Sequence, residues 1–163
     1  MIINYSIGVR LAWEMAGHEA AIKKSPFIEV DHITLGILSL DKIQPPFKVR
    51  SGADREQLNH ERNKLRELLE AFGLDINALR RKLRKFIPDG EGLLSRDIFH
   101  RSEDCKKMFS EAGCLANRFL TVNHLFIAIL RREKSFTTAL LTNEGVDTEK
   151  FKAEIMSSFC RNN

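Results

Sequence analysis

Small and apolar residues recur at three- and four-residue steps along almost the whole of this 163-residue chain, the period of helices that bury one face. From Ser6 to Ile22 the stripe is Val9, Ala12, Trp13, Ala16 and Ala20, and Ser25-Pro26 ends it. The next segment, EVDHITLGIL at 29–38, is nearly unbroken apolar after Asp31 and runs on to Leu40. Periodicity alone leaves a buried strand open there. The start signal decides for helix. Asp31, and Asn123 in the similar run TVNHLFIAIL at 121–130, are favoured N-cap residues whose side-chain oxygens accept bonds from first-turn amides. Both segments are read as buried central helices.

A polar connector, DKIQPPFKVRSGAD, follows at 41–54, and its Pro45-Pro46 pair forbids helix. Leu58, Leu65, Leu68, Leu69 and Phe72 then mark a helix stopped by Gly73, a residue suited to the left-handed position just past a helix end. Asp75 caps the next helix, which runs towards Pro88. PDGEG at 88–92 reads as a linker. Beyond it, Ser102 opens a helix through Met108, Phe109 and Ala112, and Asn123 opens the second apolar helix. Leu140 and Leu141 lead to Gly145, and Asp147 caps a last helix carrying Phe151 and Ile155.

The order of these signals repeats. LLEAFGLDINALRRKL at 68–83 and LLTNEGVDTEKFKAEI at 140–155 keep two leucines, a glycine, an aliphatic residue, an aspartate and two apolar anchors at identical spacing, the mark of a duplicated unit. The expectation is an all-α fold of two tandem four-helix repeats. A single domain spans 1–163, with repeat one at 5–87, a linker at 88–94 and repeat two at 95–160. His32 lies 41 positions before Gly73 and His124 only 21 before Gly145. Repeat one therefore carries about 20 extra residues, in the 41–64 region. Connectors of this length are commonly functional or disordered, and Phe47 within it is a candidate partner contact or a residue packed back on the domain.

Composition narrows the chemistry. With 43% hydrophobic residues, a chain of this size buries roughly 68–70% of its surface on folding. No apolar run approaches the roughly 18 residues of a membrane span, and the start lacks a secretory signal, so a cytoplasmic protein with no membrane partner is expected. Cys105, Cys114 and Cys160 lack Cys-x-x-Cys spacing and read as reduced thiols. The net charge of +4 and the run RRKLRKF at 80–86 raise nucleic acid as an alternative partner, with RREK at 131–134 in support. At helical spacing, however, Leu79, Leu83 and Phe86 share one side and the cations take the other, the pattern of a solvated face.

Catalytic motifs are missing: there is no G-x-x-x-x-G-K-[ST] phosphate loop, G-x-S-x-G elbow or H-E-x-x-H helix. After His18-Glu19 and His60-Glu61 the positions for a second zinc ligand hold Ile22 and Lys64. A Cys105 or Cys114 nucleophile served by His100 is the remaining enzymatic alternative. The chain is expected to be no enzyme and to take no cofactor or metal.

The doubled pattern resembles the Clp N-terminal repeat domain, found at the amino terminus of Clp-type AAA+ unfoldases and in free-standing relatives. The likeness rests on the small-residue first helix, the acid-His-aliphatic opening of the second and the Leu-Leu-x-x-x-Gly turn, over roughly residues 5–160. The resemblance implies a non-catalytic all-α module of two repeats with pseudo-twofold symmetry that docks adaptor proteins or substrate segments for an unfoldase, with a Clp ATPase itself among its possible partners. Glu29-Val30-Asp31-His32 and Thr121-Val122-Asn123-His124 fall where the family has a Gly-Thr-Glu-His-like stretch. His32, His124, Gly73 and Gly145 then become structural landmarks of the repeat, and Glu29, Asp31, Asn123 and Phe47 the candidate partner-binding residues. In some bacterial members the glutamate before the histidine pairs with phosphorylated arginine. Asp31 is shorter than that glutamate and Asn123 is neutral, so carry-over of this recognition is weakest at the second site.

Overall fold

The computed structural model describes residues 4–43, 49, 51–92 and 100–160, the side chains of 159 and 160 excepted. Eight α-helices account for most of them: α1 (Ile7–Ile22), α2 (Val30–Ser39), α3 (Gly52–Ala71), α4 (Ile76–Phe86), α5 (Glu103–Leu115), α6 (Val122–Leu130), α7 (Phe136–Asn143) and α8 (Thr148–Cys160). The all-α expectation holds. Two short strands, β1 (Asn4–Tyr5) and β2 (Phe119–Leu120), pair in parallel, and Ile28 bridges Arg101 in the same sense. Pro45, Pro46, Phe47 and the end of the expected linker at 93–94 lie outside the described residues. Among the described residues, no helix is long and apolar enough to cross a membrane.

The apolar stripe of α1 faces inward as its spacing requires: Val9, Ala12, Ala16 and Ala20 are buried and Trp13 half-buried. Those alanines let α2 approach closely. A Cβ placed on Gly36 would stand 2.0 Å from the Ala12 carbonyl oxygen, so this crossing requires a residue without one. All ten residues of α2 are buried, because α1, α4, α5, α6 and α7 pack around it. That explains the unbroken apolar sequence, since a helix surrounded on all sides has no polar face to present.

The expected caps of these two central helices need correction. Glu29 and Thr121, not Asp31 and Asn123, hold the N-cap positions. His32 and His124 occupy the third helical position and complete capping boxes. Nδ1 of His32 accepts the Glu29 backbone N–H at 3.0 Å, and Nδ1 of His124 accepts that of Thr121 at 3.1 Å. Histidine thus stands where a capping box usually has Glu or Gln. Asp31 and Asn123 are released from that duty and point elsewhere.

The duplicated Leu-Leu…Gly-x-Asp signal forms the same turn twice. Gly73 and Gly145 have φ of 71° and 80°. Leu74 N–H donates to Leu69 O at 2.9 Å and Val146 N–H to Leu141 O at 3.0 Å, closing equivalent Schellman turns. Asp75 then caps α4 through the Ala78 N–H (2.6 Å) and Asp147 caps α8 through the Lys150 N–H (3.0 Å).

Two connectors behave differently from their sequence. Helix α3 begins at Gly52, where Ser51 Oγ accepts the Asp54 N–H at 3.0 Å, so the last residues of the expected connector are helical. Residues 88–92 are fastened to the end of α1. Gly90 and Gly92 donate to the Lys23 and Lys24 carbonyls at 2.7 and 3.1 Å, and Lys23 Nζ donates to Asp89 at 2.9 Å. The segment satisfies carbonyls that a helix end leaves without partners.

Candidate functional site

A cleft of about 590 Å³ opens where the start of α2 meets residues 87–90 and the junction of α6 with α7. Pro26, Val30, Ile87, Pro88 and Phe136 give it apolar walls, and Arg131 and Lys134 stand on its α6–α7 side. Phe136 is 38% exposed and packs edge-on against Phe86, itself 41% exposed, with ring centroids 5.8 Å apart. Glu29, Asp31 and His32 line this cleft. Asn123 does not; it lies in a separate hollow of about 330 Å³ with Lys64, Leu68 and Glu154.

The Asp31 carboxylate is committed inside the molecule. Its Oδ1 accepts the Thr137 N–H at 2.8 Å and the Thr137 hydroxyl at 2.6 Å, and its Oδ2 accepts the Phe136 N–H at 3.1 Å. It therefore closes the N-terminus of α7 from 105 residues away in sequence, where free amides and the helix dipole favour an anion. Asp31→Ala is expected to lower stability by about 2 kcal/mol, since a buried amide, a half-buried amide and a buried hydroxyl lose their acceptor. Asp31→Asn, which keeps one carbonyl oxygen, is expected to lose about half as much. Equal stability of wild type and Asp31→Ala in urea denaturation would remove this role.

Glu61, on α3, does the matching work for α6 and escaped the sequence reading. Its Oε2 accepts the Val122 N–H and the Ser6 hydroxyl, each at 3.0 Å, tying the starts of α6 and α1 to α3. Burial pushes its carboxyl above the usual glutamate range, against the opposing hydrogen bonds from Val122, Ser6 and Gly8. A signal existed: Glu61 sits three residues after Leu58 and four before Leu65, on the stripe that α3 buries.

The basic run on α4 also departs from expectation. Leu79 and Leu83 are buried, but Phe86 is on the surface and Arg80 is only 9% exposed. Arg84 turns to the buried Glu19 of α1, its Nε donating to Oε2 at 2.9 Å, and Lys82 donates to Glu144 at 2.7 Å. The cations are divided between internal pairing and solvent because a buried carboxylate on α1 draws one of them inward. Of RREK, Arg132 pairs with Glu111 at 3.0 Å.

His32 is buried, and desolvation lowers its pKa to about 4; Glu19 raises and Lys23 lowers it by smaller amounts. Burial likewise lowers His124. Cys105 is buried and its thiol is pushed up to about 12, chiefly by desolvation, whereas Cys114 is exposed. A thiol so raised is a poor nucleophile, which weighs against Cys105 in the catalytic alternative. Among the described residues, no group of three His, Cys, Asp or Glu is gathered as for a metal ion.

Comparison with known proteins finds no matching family model and no matching curated protein.

Proposed function

We propose that this chain is a non-catalytic protein-interaction module of the Clp N-terminal repeat type, docking adaptor proteins or substrate segments for a Clp-type AAA+ unfoldase in cytoplasmic protein quality control. The observation that carries the reading is the cleft at the start of α2, whose apolar walls continue into the exposed Phe86–Phe136 pair. Such a surface suits an apolar segment of another protein, with aromatic anchors supplying most of the energy. The pairing of the halves supports the tandem-repeat part. The segment before α1 pairs with the one before α6, and the segment before α2 bridges the one before α5. Exchanging α1 with α5 and α2 with α6 maps one pairing onto the other, as a pseudo-twofold axis requires.

The nucleic-acid alternative draws less support, because Arg80 is buried and Arg84 is paired with the buried Glu19. The test is a pull-down from native extract with nuclease present, followed by titration of the recovered protein. Recovery of a Clp ATPase, a protease subunit or an adaptor is expected. Phe86→Ser with Phe136→Ser should then weaken its binding by roughly tenfold or more, the scale of losing an aromatic anchor. Arg81→Gln with Lys85→Gln should change it by less than about threefold, as rim charges do. Retention of material only in a parallel pull-down without nuclease, or a larger loss from the charge pair, overturns the reading.

A further inference from the structure

A second pocket, of about 520 Å³, lies between the start of the chain and α5, away from the cleft. Among the described residues its lining includes two cations, Arg101 and Lys106, and no acidic residue; Tyr5, Phe109 and Leu120 supply apolar surface, and Ser110 and Cys114 small polar groups. Arg101 is held in an unusual way. Its guanidinium carbon stands 4.4 Å from the Trp13 ring centroid and 4.5 Å from that of Phe109, in the wedge between two rings 5.8 Å apart. Tyr5 completes the aromatic group, 6.2 Å from Trp13 and 5.9 Å from Phe109. The bridge between Ile28 and Arg101 fixes the backbone from which the side chain springs.

A guanidinium held against aromatic rings makes no hydrogen bond to them through its N–H fork, which can serve another partner. Among the described residues no carboxylate pairs with Arg101, although this chain has 22 acidic residues and uses them on Arg66, Arg84 and Arg132. Among the described residues the guanidinium is partly desolvated and has no carboxylate partner, the condition under which a charge-assisted bidentate bond is strongest. Lys106 already donates to Glu103 at 2.6 Å, so one full positive charge is on offer, matched to a monoanion rather than a phosphate dianion. The aromatic and aliphatic surface beside it suits the methylenes of a side chain.

We infer that this pocket is a carboxylate-binding site for an acidic peptide segment, with the Arg101 fork gripping a Glu or Asp side chain and Lys106 on the rim. The inference stands apart from the cleft described above and does not need the unfoldase reading.

Trp13 is the chain's single tryptophan, and it reports directly on Arg101. The experiment titrates the full chain with the blocked peptide acetyl-Gly-Glu-Leu-amide, its Gln counterpart, sodium acetate and inorganic phosphate at matched ionic strength, following Trp13 emission. The Glu peptide is expected to give a saturable shift and the Gln peptide to bind roughly tenfold more weakly, the scale of one charged hydrogen-bonded contact. Arg101→Gln and Arg101→Lys should each weaken the Glu peptide by about tenfold, since lysine keeps the charge but not the fork. Arg81→Gln, on the exposed side of α4, should leave it unchanged. Protection of Cys114 from alkylation, read by peptide mapping on the wild-type chain, gives a second readout that needs no variant; buried Cys105 stays unreactive in either case. Equal responses to the Glu and Gln peptides, saturation by phosphate but not peptide, acetate binding as tightly as the Glu peptide, or no protection of Cys114 each overturn the assignment.

Discussion

Gly36→Ala is expected to destabilise the chain by about 3 kcal/mol, the upper end of ordinary overpacking costs. The added methyl would meet the Ala12 carbonyl oxygen at 2.0 Å, its carbon at 2.9 Å and the Ala16 nitrogen at 3.1 Å. All three are backbone atoms of α1, so no side-chain rotation relieves the contact. Only separation of α1 from α2 does, and α2 is the helix around which five others pack. Gly52→Ala is the control: nothing lies within 4 Å of its added carbon, and its effect should stay within about 0.5 kcal/mol. Urea midpoints of the two variants at constant m-value measure the difference. If Gly36→Ala unfolds at the wild-type midpoint, the close crossing of α1 and α2 is wrong.

The second large effect is acid sensitivity from His32. Its pKa falls from 6.5 in the unfolded chain to about 4 in the folded one, mainly through burial. A base whose folded pKa is depressed contributes stability that is fully present above pH 6.5 and is lost as pH falls through the folded value, because the unfolded chain binds the proton first. At 1.36 kcal/mol per pKa unit, roughly 3 kcal/mol disappears between about pH 6.5 and pH 4. The structure gives the event a place. Nδ1 accepts the Glu29 N–H, so protonating it sets two donors face to face and opens the capping box of α2. Glu61 works in the opposite sense: its raised carboxyl takes up a proton in the folded state first, which adds stability as pH falls through its raised folded value. His32→Gln separates the two. Glutamine is the usual partner in a capping box and does not titrate, so the variant should keep stability near pH 7 and lose the downward slope in acid. Denaturation from pH 7.5 to 4 measures this, and a slope identical to wild type would sink the mechanism.

The local grammar of this protein could be read from its residues. Gly73 and Gly145, each followed by an aliphatic residue and an aspartate, specified two Schellman turns and two helix caps, because every interaction involved spans six residues or fewer. The stripe on α1 and the stop at Ser25-Pro26 were legible for the same reason. The caps of α2 and α6 were misplaced by two residues because Asp and Asn are favoured caps in isolation, whereas a histidine returning a bond to Glu29 or Thr121 is seen only with the side chain in place.

What the sequence determined by itself is a chain of short amphipathic helices with two largely apolar ones, repeated in order, since periodicity and caps are encoded within a turn or two of where they act. What only the tertiary structure decided is the use of its polar groups. Asp31 reaches 105 residues to close α7, Glu61 reaches back to α1 and forward to α6, and Glu19 draws in Arg84 from a helix that looked like a solvated basic face. Trp13 of α1 meets Arg101 and Phe109 from the far half of the chain. Each choice was fixed by which buried donor or charge lacked a partner once the helices had packed, a condition set by contacts between residues 55 to 106 positions apart, beyond the range over which a sequence pattern carries information.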